Sequence, residues 1–249
     1  MKKLSRPLRI LLAAAILFLL AAGLVLGLKY RHIRINRLFI SDHDIIGVDL
    51  SRYQVNVDMN RLAEHNVRFV YIKATEGSDY LDPYFHENWK NAKMSPMSYG
   101  AYHFFSFDSP GELQAKNYIE NAGDLKGALF PVVDMELYGS KWENPPKRAD
   151  VIRELHSFIR SIKDEYGVEP IIYTGRPFYN KYLKGEFDSC LFWPRSVFYP
   201  AKLDGWDNWA IWQYSDRGRF DGGHGGGKEK YIDLDVLNRN LSLEDLTVR

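Results

Sequence analysis

The chain has 249 residues, of which 45% are hydrophobic and 26% are charged. This balance is that of a globular protein with one large domain or two small ones, and it excludes a wholly disordered or collagen-like chain. The single cysteine, Cys190, excludes an intrachain disulfide and a zinc site built from several cysteines.

The charges are unevenly distributed along the chain. Residues 1–37 carry eight Lys or Arg side chains and no Asp or Glu. The remaining 212 residues carry 25 basic and 32 acidic side chains, so the body of the protein is acidic. An acidic body repels the phosphate backbone of nucleic acids, and we therefore expect no nucleic-acid partner.

The first predicted element is an apolar helix. Ile10 to Leu28 is a run of 19 residues without a charge, and a helix of that length covers about 28 Å, one hydrocarbon core. A cleaved signal peptide has a shorter apolar stretch, and Leu26–Lys29 is a poor cleavage site. We therefore predict a basic N-terminus over residues 1–9, a transmembrane anchor over 10–28 and a basic tether over 29–43 near the lipid headgroups. Removal of the segment as a signal is the alternative.

Eight short β-branched or aromatic runs follow in residues 44–249, with helix-like stretches between the first six. The runs are Ile45–Asp49, Phe69–Lys73, Ser98–Phe104, Leu129–Asp134, Ile171–Thr174, Leu191–Trp193, Trp209–Tyr214 and Tyr231–Asp235. The helical stretches are Met59–His65, Tyr84–Lys93, Gly111–Asn121, Lys147–Tyr166 and Pro177–Leu183. This order predicts an α/β fold, a TIM-like β/α barrel with eight strands and about five helices, as one domain after the transmembrane helix. The Gly-rich residues 222–227 predict a mobile loop before the last strand.

Polar residues follow the apolar part of most runs. They include Asp49, Lys73, Glu76, Tyr102, Asp134, Glu136, Tyr173, Trp212, Gln213, Asp233 and Asp235. In β/α barrels the carboxyl ends of the strands meet on one face, which is the active site. Several carboxylates without a Cys or His cluster indicate acid–base chemistry, and no spacing of metal ligands is present, so we expect neither a metal nor a cofactor.

The sharpest local signal is Asp134-Met135-Glu136. Strand residues two apart point to the same side, so both acids should face the barrel mouth while Met135 turns away. Two acids in one cleft of low dielectric disfavour joint ionisation, which predicts a raised pKa for one of them. Such an acid retains a proton that it can give to a glycosidic oxygen. Taken alone, the pattern also fits a solvated strand end or a helix cap.

Aromatic residues beside the strand ends suit stacking on sugar rings, although for any one of them ordinary core packing is the favoured explanation. Lys73 and Glu76 fit an ion pair at the barrel rim as well as a binding role. Asp233 fits a catalytic group or a loop cap.

Seven motifs occur in an order that resembles glycoside hydrolase family 25, the N,O-diacetylmuramidase lysozymes with a β/α barrel. The resemblance covers about residues 44–240. The motifs are Gly47–Gln54, Phe69–Gly77, Tyr99–Phe105, Pro131–Glu136, Ile171–Thr174, Trp212–Ser215 and Ile232–Asp235.

The resemblance implies a lysozyme that cuts the β-1,4 bond between N-acetylmuramic acid and N-acetylglucosamine in peptidoglycan. Glu136 would be the general acid, and Asp134 would assist, through the substrate acetamido group. The remaining implied residues are Asp49 and Asp233 in the acidic floor, and Tyr102, Tyr173, Trp212, Gln213, Lys73, Glu76 and Tyr53 at the substrate. The chain departs from the family pattern with Tyr53 where Trp is usual, with Trp193 shifted by one position, and with Asp235 where Asn is common.

The expected partners are peptidoglycan glycan strands and, through the N-terminal helix, the membrane. We expect the catalytic domain outside the cytoplasm, anchored to the membrane, or secreted if the helix is removed. Two other interpretations stay open at this stage: a non-catalytic peptidoglycan-binding module, and a glycosidase for another acetamido-sugar polymer such as chitin.

Overall fold

The computed structural model describes residues 5–29, 34–202, 205–206, 209–223 and 229–249. The helices are α1 (Arg6–Lys29), a 3₁₀ turn (Asn36–Phe39), α2 (Met59–Glu64), α3 (Phe85–Lys93), α4 (Gly111–Ala122), α5 (Arg148–Tyr166), α6 (Arg176–Phe178) with the π turn Tyr179–Leu183, and two further 3₁₀ turns (Gly139–Trp142 and Glu244–Leu246). The strands are β1 (Ile46–Leu50), β2 (Val67–Glu76), β3 (Tyr80–Leu81), β4 (Ser98–Phe104), β5 (Val132–Met135), β6 (Ile171–Gly175), β7 (Phe192–Arg195), β8 (Ile211–Gly218) and β9 (Ile232–Leu237).

Eight of these strands close into a barrel in the order β1-β2-β4-β5-β6-β7-β8-β9, with β9 paired back to β1. The two-residue β3 pairs with β2 outside this ring. The predicted eight-stranded β/α barrel with an apolar N-terminal helix is therefore confirmed. All five predicted helical stretches after residue 44 are present, with ends that differ by at most one residue.

The last strand runs against its neighbours, which corrects the expectation that all strand ends meet at the mouth by their carboxyl ends. Strand β9 is antiparallel to both β8 and β1. A parallel strand needs a crossover, usually a helix, whereas residues 219–231 contain five glycines that disfavour one. Asp233 consequently reaches the mouth from the amino end of its strand. Residues 224–227 of the predicted Gly-rich loop lie outside the described residues.

Large aromatic side chains fill the barrel interior. Phe69, Tyr71 and Trp193 are buried there with aliphatic residues of the neighbouring strands. Glycines make room for the rings: a Cβ on Gly47 would lie 2.2 Å from the Phe69 ring, and one on Gly100 would lie 2.3 Å from the Tyr71 ring. The interior is thus a packed plug beneath the mouth rather than a pore, as in other β/α barrels.

The helices pack against the outside of the barrel through their apolar faces. Asp58 caps α2 by accepting the backbone N–H groups of Asn60 and Arg61, both at 3.1 Å. Gly167 ends α5 in the left-handed conformation, with φ of 73°. A Cβ on Gly111 would lie 1.8 Å from the backbone oxygen of Glu154, so α4 and α5 meet at very close range.

The N-terminal helix and the segment after it differ in their contacts. Residues Arg6–Gly27 of α1 have the length and apolar character of a membrane span, a test that a signal segment also meets. The predicted tether is not separate from the barrel, because Asn36 is only 2% exposed and the Phe39 oxygen accepts from Arg239 at 3.3 Å. The boundary predicted at residue 44 therefore separates the end of the tether from a barrel against which it packs. Lys2, Lys3 and Arg31 lie outside the described residues.

Candidate active site

A cavity of about 740 Å³ opens at the mouth of the barrel. Nine of the residues predicted from the sequence line it: Asp49, Tyr53, Lys73, Glu76, Tyr102, Asp134, Glu136, Tyr173 and Asp233. They come from several different strands and the loops that follow, because the barrel brings these ends to one face.

Strand β5 supplies the central acids. Asp134 lies in the strand and Glu136 follows it directly, and both line the cavity. Met135 between them is fully buried in the core between barrel and helices, so the two acids share one side as the pleat requires. The hydroxyl of Thr174 on β6 donates to the backbone oxygen of Met135 at 2.7 Å, which fixes the strand end at this point.

Burial governs the protonation of both acids. Loss of hydration raises the pKa of Asp134 well above its usual value, and the negative charge of Glu136 raises it further. The pKa of Glu136 is also raised by burial, while the cations Arg195 and Lys73 oppose that shift. The mouth therefore holds a pair of acids that retain protons at a higher pH than free carboxyls do.

A second pair of acids, Asp49 and Asp233, lies at the bottom of the cavity, which we call the floor. Burial raises the pKa of Asp49 to about 6, although hydrogen bonds from Gln213 and Asp235 stabilise its charged form. Burial and the nearby charge of Asp49 raise the pKa of Asp233 to about 8. With this many buried carboxyls close together, several of them are neutral at pH 7.

Hydrogen bonds tie this floor across the barrel. The Gln213 amide donates to Asp49 Oδ2 at 2.9 Å, and its oxygen accepts from the Tyr173 hydroxyl at 3.0 Å. The indole N–H of Trp193 donates to Asp235 Oδ1 at 3.0 Å. The charge of the neighbouring Asp49 adds to burial in raising the pKa of Asp235. This network holds Asp49 and Tyr173 in fixed positions below the acidic pair.

Aromatic rings form much of the cavity wall. Tyr102 and Tyr173 line its inner part, and Tyr53 stands at the rim with 59% of its surface exposed. The Arg52 guanidinium lies 5.2 Å from the centre of the Tyr53 ring. The flat rings along the cavity wall offer faces on which sugars can stack, next to acidic groups that can transfer protons.

Comparison with known proteins identifies the family to which the chain belongs. The model of the family "Glycosyl hydrolases family 25" matches residues 48–223. The chain belongs to glycoside hydrolase family 25. It is therefore a glycoside hydrolase of the lysozyme and muramidase type, and the resemblance seen in the sequence motifs is confirmed.

Three relatives show how far the likeness extends. A family 25 glycosyl hydrolase from Bacillus anthracis is 45% identical, with 81% of this chain and 93% of that chain covered at a TM-score of 0.73. A bacterial lysozyme from Streptomyces coelicolor is 28% identical, with 83% and 96% covered at a TM-score of 0.71. The protein YegX of Escherichia coli K12, which is described as uncharacterized, is 30% identical over 80% of this chain and 71% of its own length.

Two residues that the sequence placed at the substrate of this family 25 enzyme do not line the cavity. Trp212 is 4% exposed and packs between the barrel and its outer layer, with its indole N–H on the Ser196 oxygen. Gln213, its neighbour, points into the barrel and lies under Asp49. Adjacent strand residues face opposite sides, so Trp212 and Gln213 cannot both face the mouth.

The pair Lys73 and Glu76 forms the expected ion pair and also lines the cavity. Lys73 Nζ lies 2.6 Å from Glu76 Oε2 and 4.7 Å from the centre of the Phe104 ring. Lys73 lowers the pKa of both Asp134 and Glu136, so its charge acts on the acids as well as on Glu76.

Sequence reasoning missed the cationic side of the family 25 cavity. Arg195, Asp216 and Arg34 line it, and Asp216 binds both arginines. Arg195 escaped notice because the strand appeared to end before Pro194, a residue that is rare within strands. Pro194 is nevertheless paired with Thr174 in β7, which carries Arg195 to the mouth. Polar residues at the carboxyl ends of barrel strands face the mouth. Arg195 could have been found by applying this rule two residues beyond Trp193, where the predicted strand ended.

Proposed function

We propose that the chain is a muramidase that hydrolyses the β-1,4 bond between N-acetylmuramic acid and N-acetylglucosamine in peptidoglycan. The observation that carries this proposal is the buried pair Asp134 and Glu136 in a cavity walled by aromatic rings. Raised pKa values let each acid hold a proton at a higher pH than a free carboxyl does. Hydrolysis of a glycosidic bond requires such an acid beside the leaving oxygen.

Glu136 is the general acid of this proposal. It gives its proton to the glycosidic oxygen while the bond from that oxygen to the anomeric carbon breaks. Arg195 and Lys73 favour the charged form of Glu136, which supports release of the proton at that moment. The resulting carboxylate then takes a proton from the water that attacks the anomeric carbon, and this restores the acid.

Asp134 acts on the acetamido group of the sugar. Its Oδ1 atom is buried and has no hydrogen-bond partner among the described residues. A buried acceptor of this kind calls for a donor, and the 2-acetamido N–H of the substrate is one. When the acetamido oxygen attacks the anomeric carbon, positive charge develops on the acetamido nitrogen. The Asp134 carboxylate stabilises that charge, and the bound N–H favours the charged form of the carboxyl.

The other cavity residues bind and orient the glycan. Asp49 and Asp233 complete the acidic floor, and the rings of Tyr53, Tyr102 and Tyr173 stack on or border the sugars. Lys73 and Glu76 support the same wall. The catalytic barrel works outside the cytoplasm, where peptidoglycan lies, and α1 holds it at the membrane or directs its export.

The test uses the full chain in detergent micelles with purified peptidoglycan. Products are reduced with borohydride, and the new reducing ends are identified by mass spectrometry. Glu136→Gln is the decisive variant, since an amide keeps the shape of the side chain but cannot donate the proton. We expect a loss of about 10²–10⁴ in turnover, the usual contribution of general acid catalysis. Glu120→Gln, the same change on the exposed face of α4, is the matched control.

The products separate the candidate functions. New reduced muramic-acid ends that Glu136→Gln abolishes and Glu120→Gln retains support both the muramidase and the role of Glu136. New glucosamine ends would contradict the bond assignment and point to a glucosaminidase or chitinase specificity. Retention of the protein on peptidoglycan without any new ends would identify a binding module instead.

A further inference from the structure

A segment that precedes the family-matched region is built into the wall of the cavity. Asn36 lies twelve residues before that region begins at residue 48. Its side-chain amide donates to the backbone oxygens of Ser196 at 2.6 Å and of Tyr214 at 2.9 Å. These oxygens belong to the end of β7 and to β8, so one side chain joins two neighbouring strands of the barrel.

The joint between β7 and β8 is the place where the barrel needs such support. Among the described residues, only Arg195 and Gln213 are paired in register between these strands. Two backbone bonds flank this pair: the N–H of Ser196 donates to the Gln213 oxygen at 3.1 Å, and the N–H of Ala210, just before β8, donates to the Phe192 oxygen at 2.8 Å. Asn36 therefore joins β7 and β8 at a seam, the boundary between these two strands, where few backbone hydrogen bonds connect them. The same contact fixes the position of residue 34, two residues earlier in the chain, at the mouth of the barrel.

That upstream residue is Arg34, which lines the cavity. Its guanidinium forms an ion pair with Asp216 Oδ1 and lies 5.1 Å from the centre of the Phe198 ring. The second oxygen of Asp216 accepts from Arg195 at 3.0 Å. Arg34, Asp216 and Arg195 thus form a row of alternating charges along the cavity wall.

Arg195, at the inner end of this row, lines the same cavity as the acids Glu136 and Asp49. Within the described part of the chain, the ion pair of Arg195 is with Asp216 and not with an active-site carboxyl. Its charge nevertheless favours the ionised form of Glu136 and of Asp49. Because electrostatic influence depends on distance, the position at which Asp216 holds Arg195 matters for the proton transfer.

We propose that Arg34 is a positioning residue of the active site, which holds Asp216 and thereby keeps Arg195 beside Glu136. The segment from residue 34 onward is then part of the working enzyme, whether or not α1 stays attached. This inference rests on the proposed function, because its effect is measured on peptidoglycan turnover.

The first test compares Arg34→Ala with the wild-type full chain in detergent micelles. We expect kcat to fall about three- to tenfold with KM within about twofold, the pattern of a group that acts on the transition state and not on substrate binding. Arg37→Ala is the matched control, since Arg37 is exposed three residues later and does not line the cavity. Arg34→Lys, which keeps a charge near Asp216, should recover part of the lost kcat.

The second test asks whether the effect passes through Asp216. Asp216→Asn removes the carboxylate that links the two arginines. In that background Arg34→Ala should cost nothing further, because the connection is already lost, and the double variant should match Asp216→Asn alone. Thermal unfolding is measured for each variant. If Arg34→Ala lowers the melting temperature by more than a few degrees, Arg34→Gln, which keeps a longer polar side chain without the charge, replaces it in the same cycle.

The outcomes are distinct from those for the proposed function. If the wild-type chain releases no muramic-acid ends, the proposed muramidase fails. If the wild type is active and Arg34→Ala keeps its kcat, or the two substitutions lower kcat independently, the positioning role of Arg34 is overturned while the muramidase stands. A rise in KM with unchanged kcat would also overturn it, since that result assigns Arg34 to substrate binding.

Discussion

Asp235 lies beside Asp49 on the barrel floor, and burial together with the charge of Asp49 holds the pKa of Asp235 well above its usual range. Oδ1 of Asp235 accepts the indole N–H of Trp193, while its buried Oδ2 has no partner among the described residues, so a protonated Asp235 can donate from Oδ2 to the Asp49 carboxylate. An asparagine at this position can make the same two bonds without carrying a proton that titrates. Asp235 thus acts as a neutral donor.

We predict that Asp235→Asn keeps turnover within about threefold of wild type, because the amide reproduces both hydrogen bonds. The variant should gain stability relative to wild type as pH rises. Between the pKa of the unfolded chain and the higher pKa of the folded protein, a buried acid is protonated in the folded state and ionised in the unfolded state. Stability therefore falls with rising pH by up to about 1.4 kcal/mol per unit until the folded-state pKa is passed.

Melting temperatures of both proteins between pH 5 and 8 measure this difference. Asp235→Leu is the control that keeps the branched shape of the side chain but offers no donor, and it should lose activity as well. Equal melting temperatures for the wild type and the Asp235→Asn variant at every pH would show that Asp235 is ionised in the folded protein.

The charge of Arg195 sets the pH range of the enzyme. Arg195 lowers the pKa of Glu136, Asp49 and Asp233 against the effect of burial. Replacing it with Gln removes that influence, so each of these pKa values rises. We predict that Arg195→Gln moves both limbs of the profile of kcat/KM against pH toward higher pH and lowers the maximum.

The measurement is the full profile of turnover on soluble peptidoglycan fragments from pH 4 to 9. Arg217→Gln is a useful comparison, since Arg217 lines the same cavity and does not figure among the causes of the Glu136 shift. A profile of Arg195→Gln that moves toward lower pH would contradict the electrostatic role of Arg195.

The fold could be predicted because its signals are local. Strands such as β5 and β6 are buried on both faces, so their sequences are continuous apolar runs, and each helix carries its own stripe and stop residue. The direction of β9 could not be predicted, since an apolar run reads the same in either orientation. The only sign that β9 runs antiparallel to its neighbours was the lack of a predicted helix before it.

The acids of the site could be predicted from strand ends, whereas its cations could not. Asp134 and Glu136 follow an apolar run directly. Arg34 meets Asp216 across 182 positions of sequence, and no local pattern marks such a pair. Trp212 was misplaced because a motif does not say which of two neighbouring residues faces inward. The pleat of β8 decides that question, and it selects Gln213.

The seam between β7 and β8 should make Asn36 important for stability. Asn36→Ala removes this buried donor from the Tyr214 oxygen, while the Ser196 oxygen keeps the indole N–H of Trp212. We predict a loss of about 1–3 kcal/mol in the free energy of unfolding, the usual cost of buried groups left unpaired. Chemical denaturation of the full chain in micelles measures it. Asn240→Ala, an exposed position, is the control and should stay within about 0.5 kcal/mol. No loss in Asn36→Ala would mean that the segment rests on the barrel without supporting it.

The assignment of Asp134 to the acetamido group leads to a stereochemical prediction. Attack by the acetamido oxygen and then by water inverts the anomeric carbon twice, so the first product keeps the configuration of the substrate. Proton NMR of the anomeric signals in the first minutes of digestion, before mutarotation, reports that configuration. An inverted first product would rule out substrate assistance and would instead make Asp134 or Asp49 the base that activates water.

Asp134→Asn tests the same step from the side of the protein. The amide cannot stabilise the positive charge that develops on the acetamido nitrogen, and we predict a loss of about 10²–10³ in kcat, as for other charge-stabilising groups. The loss should fall on kcat and not on KM, because the charge exists only in the transition state. Asp233→Asn serves as the comparison on the same floor and should cost less, because the proposal places the acetamido N–H on Asp134 and not on Asp233. If Asp233→Asn proved the more damaging of the two, the acid assigned to the acetamido group would have to be Asp233.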